Sequence, residues 1–327
     1  YDKHESLMTW HLFVGGAAKV IELFVKSIRQ GGGELRTQTS AQRLIMNNGK
    51  VTGVEARDAK GNTIILHAKK VIIATGGFAA NKEMLAQNVT DSSALGMVEP
   101  IWLRGPVVDG RTGDGITMAR LVGANVAGNA PYLPGVPPIN QFSGPDELKQ
   151  GRCALAQPWL WVNHEGKRFF NESRGAVFVD VYNAMTSAGG VLYTIFDQSM
   201  IDDLINKGAV LPFNAIVLAG VPLKALPKTL EMGYERGWAF KADTVKELAQ
   251  QIGVPPENLE SSMKRVNEFA KTGVDEEFSR KPEHLRAFNL NKGPYYALKG
   301  VRCFFLTLGG VTVTPQFEAK NPQGNVI

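Results

Sequence analysis

Apolar residues recur at helical spacing early in the chain. Between residues 17 and 30, Val20, Leu23 and Phe24 fall on one helical face. Three glycines follow at positions 31–33, and glycine directly after an amphipathic run is typical of a helix end. The pattern predicts a helix over 17–30.

Strand-like segments occupy the next stretch, up to residue 70. The Asn-Gly pair at 48–49 is a strong hairpin signal, and Lys-Gly-Asn at 60–62 predicts a second turn. The run VIIA at 71–74 is continuously apolar, which is typical of a strand covered on both faces. We therefore predict short paired strands followed by a buried one.

Helical patterns dominate the middle of the chain, and strand patterns return near its end. The predicted helices cover about 177–187, 197–206, 244–252 and 256–271, and the late strands lie near 295–305 and 310–315. Thr244, or Asp243 before it, is placed to cap the third of these helices. Sheet-rich ends around a mixed middle predict one domain inserted into another.

The composition is that of an ordinary globular protein. The chain has 327 residues, of which 44% are hydrophobic and 20% charged. No apolar run reaches the roughly 18 residues of a membrane helix, so we expect no membrane span. The first residues lack the basic and apolar regions of a signal peptide. We therefore expect a cytoplasmic protein, with export left open because the chain does not begin with Met.

Charge and motif content exclude several function classes. The net charge is +5, and the Lys and Arg residues are scattered, so we expect no nucleic-acid partner. Cys153 and Cys303 form no CxxC motif, which favours buried thiols over a zinc site or disulfide framework. The five histidines show no metal-ligand spacing, so no metal site is predicted. Hydrolase elbows and P-loops are absent from the sequence as well.

A double glycine ends the apolar run at 71–74. Thr75, Gly76 and Gly77 follow it directly. At the end of a strand in an α/β sheet, glycine lets backbone N–H groups approach a ligand without a Cβ in the way. A tight strand-to-helix turn explains the same residues equally well.

A second glycine-rich turn opens a predicted helix. Its residues are Thr112, Gly113, Asp114 and Gly115. The positive end of a helix suits an anionic or electron-rich group. Asp114 would repel a phosphate, and it is better suited to accept a hydrogen bond from a ring N–H or a hydroxyl. The alternative is a simple capped helix start.

Four ordered motifs together are more specific than either turn alone. VIIATGGFAANKEML, GRTGDGITMARLVGANV, VNHEGKRFFNES and GPYYALKGVRCFFLTLGGVTV resemble the fumarate reductase/succinate dehydrogenase flavoprotein family. Its soluble branch, with urocanate reductase and ketosteroid dehydrogenases, is the most similar part. The resemblance implies an α/β fold, namely a partial Rossmann-like flavin-binding domain with an inserted mixed α+β capping domain. It implies that 1–127 and 293–327 form the flavin-binding domain and that 128–292 form the cap.

The resemblance also implies a cofactor, FAD, and the residues that meet it. Matched by motif, these are Ala41 at the adenine, Ala74, Thr75, Gly76 and Gly77 along the cofactor, Thr112, Gly113 and Asp114 at the flavin end, and Gly309 and Gly310 where the chain returns. The family's GxGxxG segment and its final glycine-rich segment have no counterpart here. We therefore expect FAD in the complete protein and weak or no FAD binding by this chain.

The implied chemistry is reduction or formation of a C=C bond beside an electron-withdrawing group in a small unsaturated substrate. Flavin N5 gives or takes a hydride at one carbon, and a protein group moves a proton at the next. The candidates for that group are Arg174 and Tyr296. The alternatives are that Arg174 is a surface residue or forms an ion pair with Glu172, and that Tyr296 is a packed aromatic. The electron donor stays open.

Departures from the family pattern bear on the substrate. Where fumarate reductases carry a carboxylate-binding His, this chain has Phe305 and Leu306 after Phe304. These apolar residues favour a less polar, ring-bearing or acyl substrate over a dicarboxylate. A truncated or degenerate module without activity is the second hypothesis. A nicotinamide-dependent dehydrogenase is the third, and the missing GxGxxG counts against it.

Overall fold

A computed structural model gives the architecture of the chain. It describes residues 16–78, 80–81, 83–84, 87, 102–103, 110–132, 146–175, 177–213, 217–301, 303–304 and 306–327. The chain folds as two compact units, and each is discontinuous in sequence. The smaller unit comprises Tyr1–Ala74, Thr117–Ala124 and Val313–Ile327, and the larger comprises Thr75–Ile116 and Asn125–Thr312. The predicted domain boundaries at 127 and 292 stay a prediction.

The described helices and strands mix throughout the chain. The helices are α1 (Gly16–Gln30), α2 (Asp114–Leu121), α3 (Asp146–Leu155), α4 (Phe178–Ser187), α5 (Gln198–Asn206), α6 (Leu226–Arg236), α7 (Val245–Ile252) and α8 (Pro256–Thr272). The strands are β1 (Ser40–Asn47), β2 (Lys50–Arg57), β3 (Thr63–His67), β4 (Trp102–Leu103), β5 (Val126–Tyr132), β6 (Leu160–Val162), β7 (Val191–Asp197), β8 (Ala239–Ala242), β9 (Tyr295–Val301), β10 (Cys303–Phe304) and β11 (Leu306–Val311). No described helix is long and apolar enough to cross a bilayer.

The smaller unit contains helix α1 and an antiparallel sheet in the order β1-β2-β3. The first predicted hairpin is confirmed, since Asn48 and Gly49 have φ values of 48° and 75°. Two successive positive φ values are what a two-residue turn needs to match the twist of its strands. The second predicted turn is confirmed as well, with Gly61 at φ 85°.

Helix α1 ends where the three glycines predicted it would. The Gly31 amide donates to the Ser27 carbonyl at 2.9 Å, and the Gly33 amide donates to the Ile28 carbonyl at 2.8 Å. Gly32 between them has φ 79°, a left-handed conformation that costs glycine little. The predicted helix over 17–30 is confirmed.

The apolar run at 71–74 is not a strand, and this prediction was wrong. None of the described strands pairs with it, and Ile72 is 90% exposed. A strand is defined by hydrogen bonds to a neighbouring strand, whereas a run of β-branched residues signals only a preference for extended, covered backbone. The pattern alone could not reveal whether a neighbour pairs with the run.

The larger unit is built around an antiparallel sheet in the order β6-β7-β9-β8. Strands β7 and β9 lie at its centre and supply fully buried residues such as Ile195, Phe196 and Ala297. Each large apolar side chain buried there contributes roughly 1.5–3 kcal/mol. In the register of the sheet, Tyr296 lies opposite Phe196 on one side and Lys241 on the other.

The predicted helices of the larger unit are confirmed as α4, α5, α7 and α8. Thr244 caps α7 in a reciprocal arrangement, because its hydroxyl accepts from the Glu247 amide at 3.1 Å and its amide donates to the Glu247 carboxylate at 3.2 Å. Helices α3 and α6 were not predicted. Their glycine and proline residues weaken the helical pattern, and tertiary packing overrides that local preference.

Two short strand pairs also belong to the larger unit. Strand β11 pairs antiparallel with β5, and β10 pairs parallel with β4. The β11–β5 register shifts between Leu308 and Gly310, a bulge of the kind that often borders functional sites. At this point Gly309 has φ 94°, and a Cβ there would overlap the Gly128 carbonyl. The irregularity therefore requires glycine.

Candidate functional site

The loop that begins with Thr75 leaves main-chain donors uncovered. Thr75 and Gly76 are exposed. Among the described residues, the amides of Thr75, Gly76 and Gly77 have no hydrogen-bond acceptor. Gly76 has φ 76° and open space where a Cβ would point. A flat or anionic group could therefore approach this backbone closely.

The second glycine-rich turn lies directly against this loop. The Ala80 amide donates to the Arg111 carbonyl at 3.0 Å, and the Asn81 side chain donates to the Thr112 carbonyl at 2.8 Å. The structure thus brings together two turns that are more than thirty residues apart in the chain. Asn81 was not predicted as part of the site.

The second turn owes one of its glycines to this packing. Gly113 has φ 82°, and a Cβ there would lie 2.5 Å from Met84 Sδ and 2.9 Å from Phe78 Cβ. Any side chain at residue 113 would therefore push the two turns apart. The contacts with Met84 and Phe78 therefore require glycine at residue 113 whether or not a ligand binds there.

Asp114 begins helix α2 beside this packing point. The Thr112 hydroxyl donates to Asp114 Oδ1 at 2.8 Å. A carboxylate in the first turn is stabilised by the positive end of the helix. The residue is exposed, and its role as the acceptor for a ring N–H or a hydroxyl stays a prediction.

Strand β11 supplies the third segment of the cluster. The Phe78 amide donates to Thr307 Oγ1 at 3.3 Å, and Gly310 has φ 138° with open space at its Cβ position. Thr307 was missed in the sequence, which holds no local sign of a contact across 229 residues. The two glycine-rich turns and Thr307 therefore lie in one cluster within the larger unit, and Gly309 and Gly310 follow Thr307 on the same strand. Ala41 and Ala74 belong to the smaller unit.

The cluster fits a flavin by its chemistry. Uncovered amides, a helix start and an exposed carboxylate acceptor suit the polar edges of such a ring system. The open backbone at Gly76 and Gly310 is a cradle that any Cβ would begin to fill. The residues present are compatible with FAD as the group they would hold.

Arg174 projects from a short turn that is anchored on both sides. Residues Glu172–Arg174 form a 3₁₀ turn capped by the Asn171 side chain. The Asn171 side chain also donates to the Phe278 carbonyl at 2.9 Å. Ser173 Oγ accepts from the Lys281 amide at 3.2 Å and lies 2.8 Å from His284 Nδ1. The turn is therefore fixed to the segment around 278–284.

A buried ionic cluster around Arg168 also fixes the turn that carries Arg174. Arg168 Nη2 lies 2.8 Å from both Glu172 Oε2 and Asp275 Oδ2, and all three side chains are almost fully buried. Burial alone would raise the pKa of the Asp275 carboxyl. Hydrogen bonds and charge from Arg168, with the amides of Phe278 and Glu277, outweigh burial and lower this pKa to about 2. Arg168 and Glu172 therefore have a structural role in this turn.

Arg174 itself pairs with Asp180, and the alternative pairing with Glu172 was wrong. Arg174 Nε donates to Asp180 Oδ2 at 2.9 Å, and Nη2 contacts the same oxygen. Glu172 is unavailable because Arg168 and the Trp161 amide already occupy its carboxylate. The Arg174 side chain is 49% exposed, so its guanidinium is accessible to a ligand.

Tyr296 is buried in β9, and its hydroxyl donates to Gln198 Oε1 at 2.5 Å. Gln198 in turn donates to Asp202 Oδ1 at 2.7 Å. Burial raises the pKa of Tyr296, although the nearby Lys241 ammonium acts in the opposite direction. The described hydrogen bonds and ion pairs of Arg174 and Tyr296 link neither residue to the glycine cluster or to the other.

Some predicted residues lie partly or wholly outside this description. Phe305 lies outside the described residues, and Phe304 and Leu306 are described as backbone only. Cys153 is a buried free thiol, as predicted, whereas Cys303 is also described as backbone only.

The chain is similar to known proteins over most of its length. A family described as FAD binding domain matches residues 3–327. The chain is 29% identical to vinyl phenol reductase of Lactiplantibacillus plantarum, over 98% of this chain and 64% of that protein. It is 29% identical to NADH:acrylate oxidoreductase of Vibrio harveyi, over 94% of this chain and 28% of that protein. The chain thus spans less than two thirds of the length of these curated relatives.

Solved structures give the fold. The chain superimposes on 3-ketosteroid delta1-dehydrogenase from Sterolibacterium denitrificans with a TM-score of 0.67 and 22% identity, covering 92% of this chain and 54% of that one. It superimposes on the open conformation of a flavocytochrome c3 fumarate reductase with a TM-score of 0.60, covering 97% of this chain and 50% of that one. These likenesses confirm the predicted α/β fold class, and the family match confirms FAD as the predicted cofactor.

Proposed function

Because the chain belongs to the FAD binding domain family, we propose that it is a flavin-dependent oxidoreductase that reduces or forms a C=C bond next to an electron-withdrawing group. The observation that carries the proposal is that the two glycine-rich turns are packed together and are hydrogen-bonded to Thr307, whose strand continues through Gly309 and Gly310. The names of the two reported relatives point the same way, since vinyl phenol and acrylate both carry a C=C bond.

In this proposal the cluster holds the flavin end of FAD. The amides of Gly76 and Gly77 donate to its polar edge, and Gly310 leaves room for the ring. Asp114 accepts a hydrogen bond from the cofactor, since the Thr112 hydroxyl occupies only one of its oxygens. Ala41 and Ala74 stay predicted contacts of the cofactor. Bound FAD supplies a hydride, or accepts one, at its N5 atom.

Arg174 is our first candidate for the proton that accompanies the hydride. Its guanidinium is accessible, and the turn that carries it is fixed by buried ion pairs and hydrogen bonds. Such anchoring holds a proton donor in place without a rearrangement during the reaction. Asp180 both orients the guanidinium and offers a carboxylate through which a proton can return.

Tyr296 is our second and weaker candidate. A raised pKa keeps the phenol protonated, so it cannot serve as a base at neutral pH. Its hydroxyl is also committed to Gln198. In a reductase, the protonated phenol of Tyr296 could still donate a proton to the substrate. Mutation of each residue therefore distinguishes Tyr296 from Arg174.

The substrate we propose is small, unsaturated and less polar than a dicarboxylate. This rests on Phe304, Phe305 and Leu306, three consecutive apolar residues directly before Thr307 in the sequence. An aromatic or acyl group beside the reacting double bond would suit them, because apolar side chains favour apolar ligand surface.

The proposal is tested first by cofactor binding and then by turnover. The complete protein, in which FAD is expected even if residues 1–327 alone bind it weakly, is titrated with FAD, followed by the change in flavin fluorescence. It is then supplied with reduced viologen dye and a panel of acrylate, fumarate, urocanate, vinyl phenol and a 3-oxosteroid. We expect FAD binding and dye oxidation with one of the less polar substrates. A protein that binds no FAD would refute the proposed function and favour a module without activity.

The proton-transfer role is tested by Arg174→Gln beside Arg265→Gln. Arg265 is a matched control, since it is also an exposed arginine in the larger unit held by carboxylates, those of Glu268 and Glu276. We expect Arg174→Gln to lower kcat by about 10²-fold or more and the control to leave it unchanged. If instead Tyr296→Phe lowers kcat and Arg174→Gln does not, Tyr296 is the proton-transfer residue.

A further inference from the structure

Thr307 occupies the space that a side chain at residue 77 would take. A Cβ built on Gly77 would overlap Thr307 Oγ1 and lie 3.5 Å from Thr307 Cβ. The same hydroxyl oxygen accepts a hydrogen bond from the Phe78 amide at 3.3 Å. The Thr307 hydroxyl therefore leaves no room for a side chain at Gly77, and it accepts a hydrogen bond from the backbone at Phe78.

The Phe78 amide depends on this acceptor. Phe78 is 1% exposed, so its amide has little access to water. A buried donor that loses its partner is penalised far more than an exposed one. Removal of the Thr307 hydroxyl would therefore let the loop shift until the amide found another acceptor.

The loop that the hydroxyl fixes is the one with uncovered amides. Gly76 lies two residues before the hydrogen-bonded Phe78 amide, and no atom lies within 4 Å of the position its Cβ would take. Glycine restricts its own backbone less than any other residue. The conformation of Gly76 must therefore come from contacts on either side, and Thr307 supplies the contact on its C-terminal side.

We propose that Thr307 is a positioning residue for the cofactor, because its hydroxyl fixes the backbone of residues 75–78 in the form whose amides face the bound group. The inference rests on the proposed function. It assigns no catalytic step to Thr307, which acts through the loop. A serine hydroxyl would serve equally well, whereas valine keeps the shape and loses the acceptor.

The test compares three variants of the complete protein, Thr307→Val, Thr307→Ser and Thr312→Val. Thr312 follows the same strand directly, and its hydroxyl is also hydrogen-bonded, to Asn125, but not to the loop. Each variant is titrated with FAD, and hydrogen exchange is measured at the Phe78 amide. Thermal unfolding is recorded to separate loss of stability from loss of binding.

We expect Thr307→Val to weaken FAD binding about tenfold and to speed exchange at the Phe78 amide. Thr307→Ser should restore both, and Thr312→Val should change neither, even where it lowers the melting temperature. If Thr307→Val does not fold, Gly77→Ala provides the second test. Its Cβ displaces the hydroxyl from the other side, and we again expect weaker FAD binding.

The possible negative results have different meanings. Thr307→Val with wild-type FAD affinity and wild-type Phe78 exchange would overturn the inference and leave the proposed function standing. An equal loss of FAD affinity in Thr312→Val would also overturn it, because the effect would then be general destabilisation. A wild-type protein that binds no FAD would overturn the proposed function and this inference with it.

Discussion

Replacement of Asp275 by asparagine tests the buried ionic cluster that holds the Arg174 turn. Asp275 bonds Arg168 through both oxygens, at 2.8 and 3.1 Å. It also accepts from the Glu277 and Arg280 amides at 3.1 and 3.2 Å. The substitution would keep the shape of the side chain but remove its charge and half of its acceptor capacity.

The magnitude follows from the pKa of Asp275. Its carboxyl titrates at about 2 in the folded protein and near 3.9 in an unfolded chain. A difference of about two units corresponds to roughly 2.5 kcal/mol of stability. Because the folded pKa is lowered, this contribution is present above about pH 4 and is lost as the pH falls to about 2.

We therefore expect Asp275→Asn to lower the free energy of unfolding by about 2–4 kcal/mol at neutral pH. The assay is urea unfolding, followed by the fluorescence of the buried Trp159, Trp161 and Trp238. Between pH 4 and pH 2 the difference from the wild-type protein should shrink, because Asp275 becomes protonated and then resembles the variant.

Glu277 provides the matched control. It lies 3.0 Å from the same Arg168 guanidinium, but its side chain is 37% exposed, whereas that of Asp275 is fully buried. Exposed ion pairs contribute about 0–1 kcal/mol, so Glu277→Gln should have a small effect. If the two substitutions had equal effects, or if the effect of Asp275→Asn were independent of pH, the reasoning from burial and pairing would be refuted.

Three further predictions concern local features of the chain. Gly113→Ala should lower the melting temperature more than Gly123→Ala, since both have positive φ but only the first has crowded space at Cβ; equal shifts would exclude crowding as the cause. Thr244→Ala should cost about 1 kcal/mol in urea unfolding through loss of the cap, while Asp243→Ala should cost less. The pKa of His284, measured by NMR, should lie below the usual value of about 6.5, because burial lowers it. The free energy of unfolding should then decrease as the pH falls below the pKa that histidine has in the unfolded chain. An unshifted pKa would contradict this prediction.

The features predicted correctly from the sequence are those that a few neighbouring residues determine. The hairpin at Asn48 and Gly49, the end of helix α1 and the cap at Thr244 each depend on groups within five residues. Glycine conformations and capping hydroxyls act over this range, so the local sequence suffices. Motif resemblance then placed these elements in the right fold class.

The features that the sequence did not reveal depend on distant partners. The run at 71–74 was predicted as a strand from its apolar character, but a strand also needs a neighbour. An ion pair of Arg174 with Glu172 was one alternative to its proposed role, but Arg168 and the Trp161 amide already occupy that carboxylate. In both cases the local pattern was read correctly and competition from elsewhere in the fold decided the outcome.

The glycines of the cluster show the same limit in the functional site. Thr307 leaves no room for a side chain at Gly77, Met84 and Phe78 leave none at Gly113, and Gly128 leaves none at Gly309. Gly76 and Gly310 have open space at Cβ and are set by their positive φ values alone. In sequence the two groups are identical, since each is a glycine in a glycine pair or turn.

The distinction matters because it separates two kinds of evidence for a ligand. A glycine that is crowded by its own chain would be required whether or not a cofactor bound, so it carries no information about one. A glycine beside open space and uncovered amides is explained only by its turn or by a group that approaches it. Among the glycines of the cluster, Gly76 and Gly310 are therefore the two that support a bound flavin, and alanine at these positions should weaken FAD binding more than it lowers the stability of the protein.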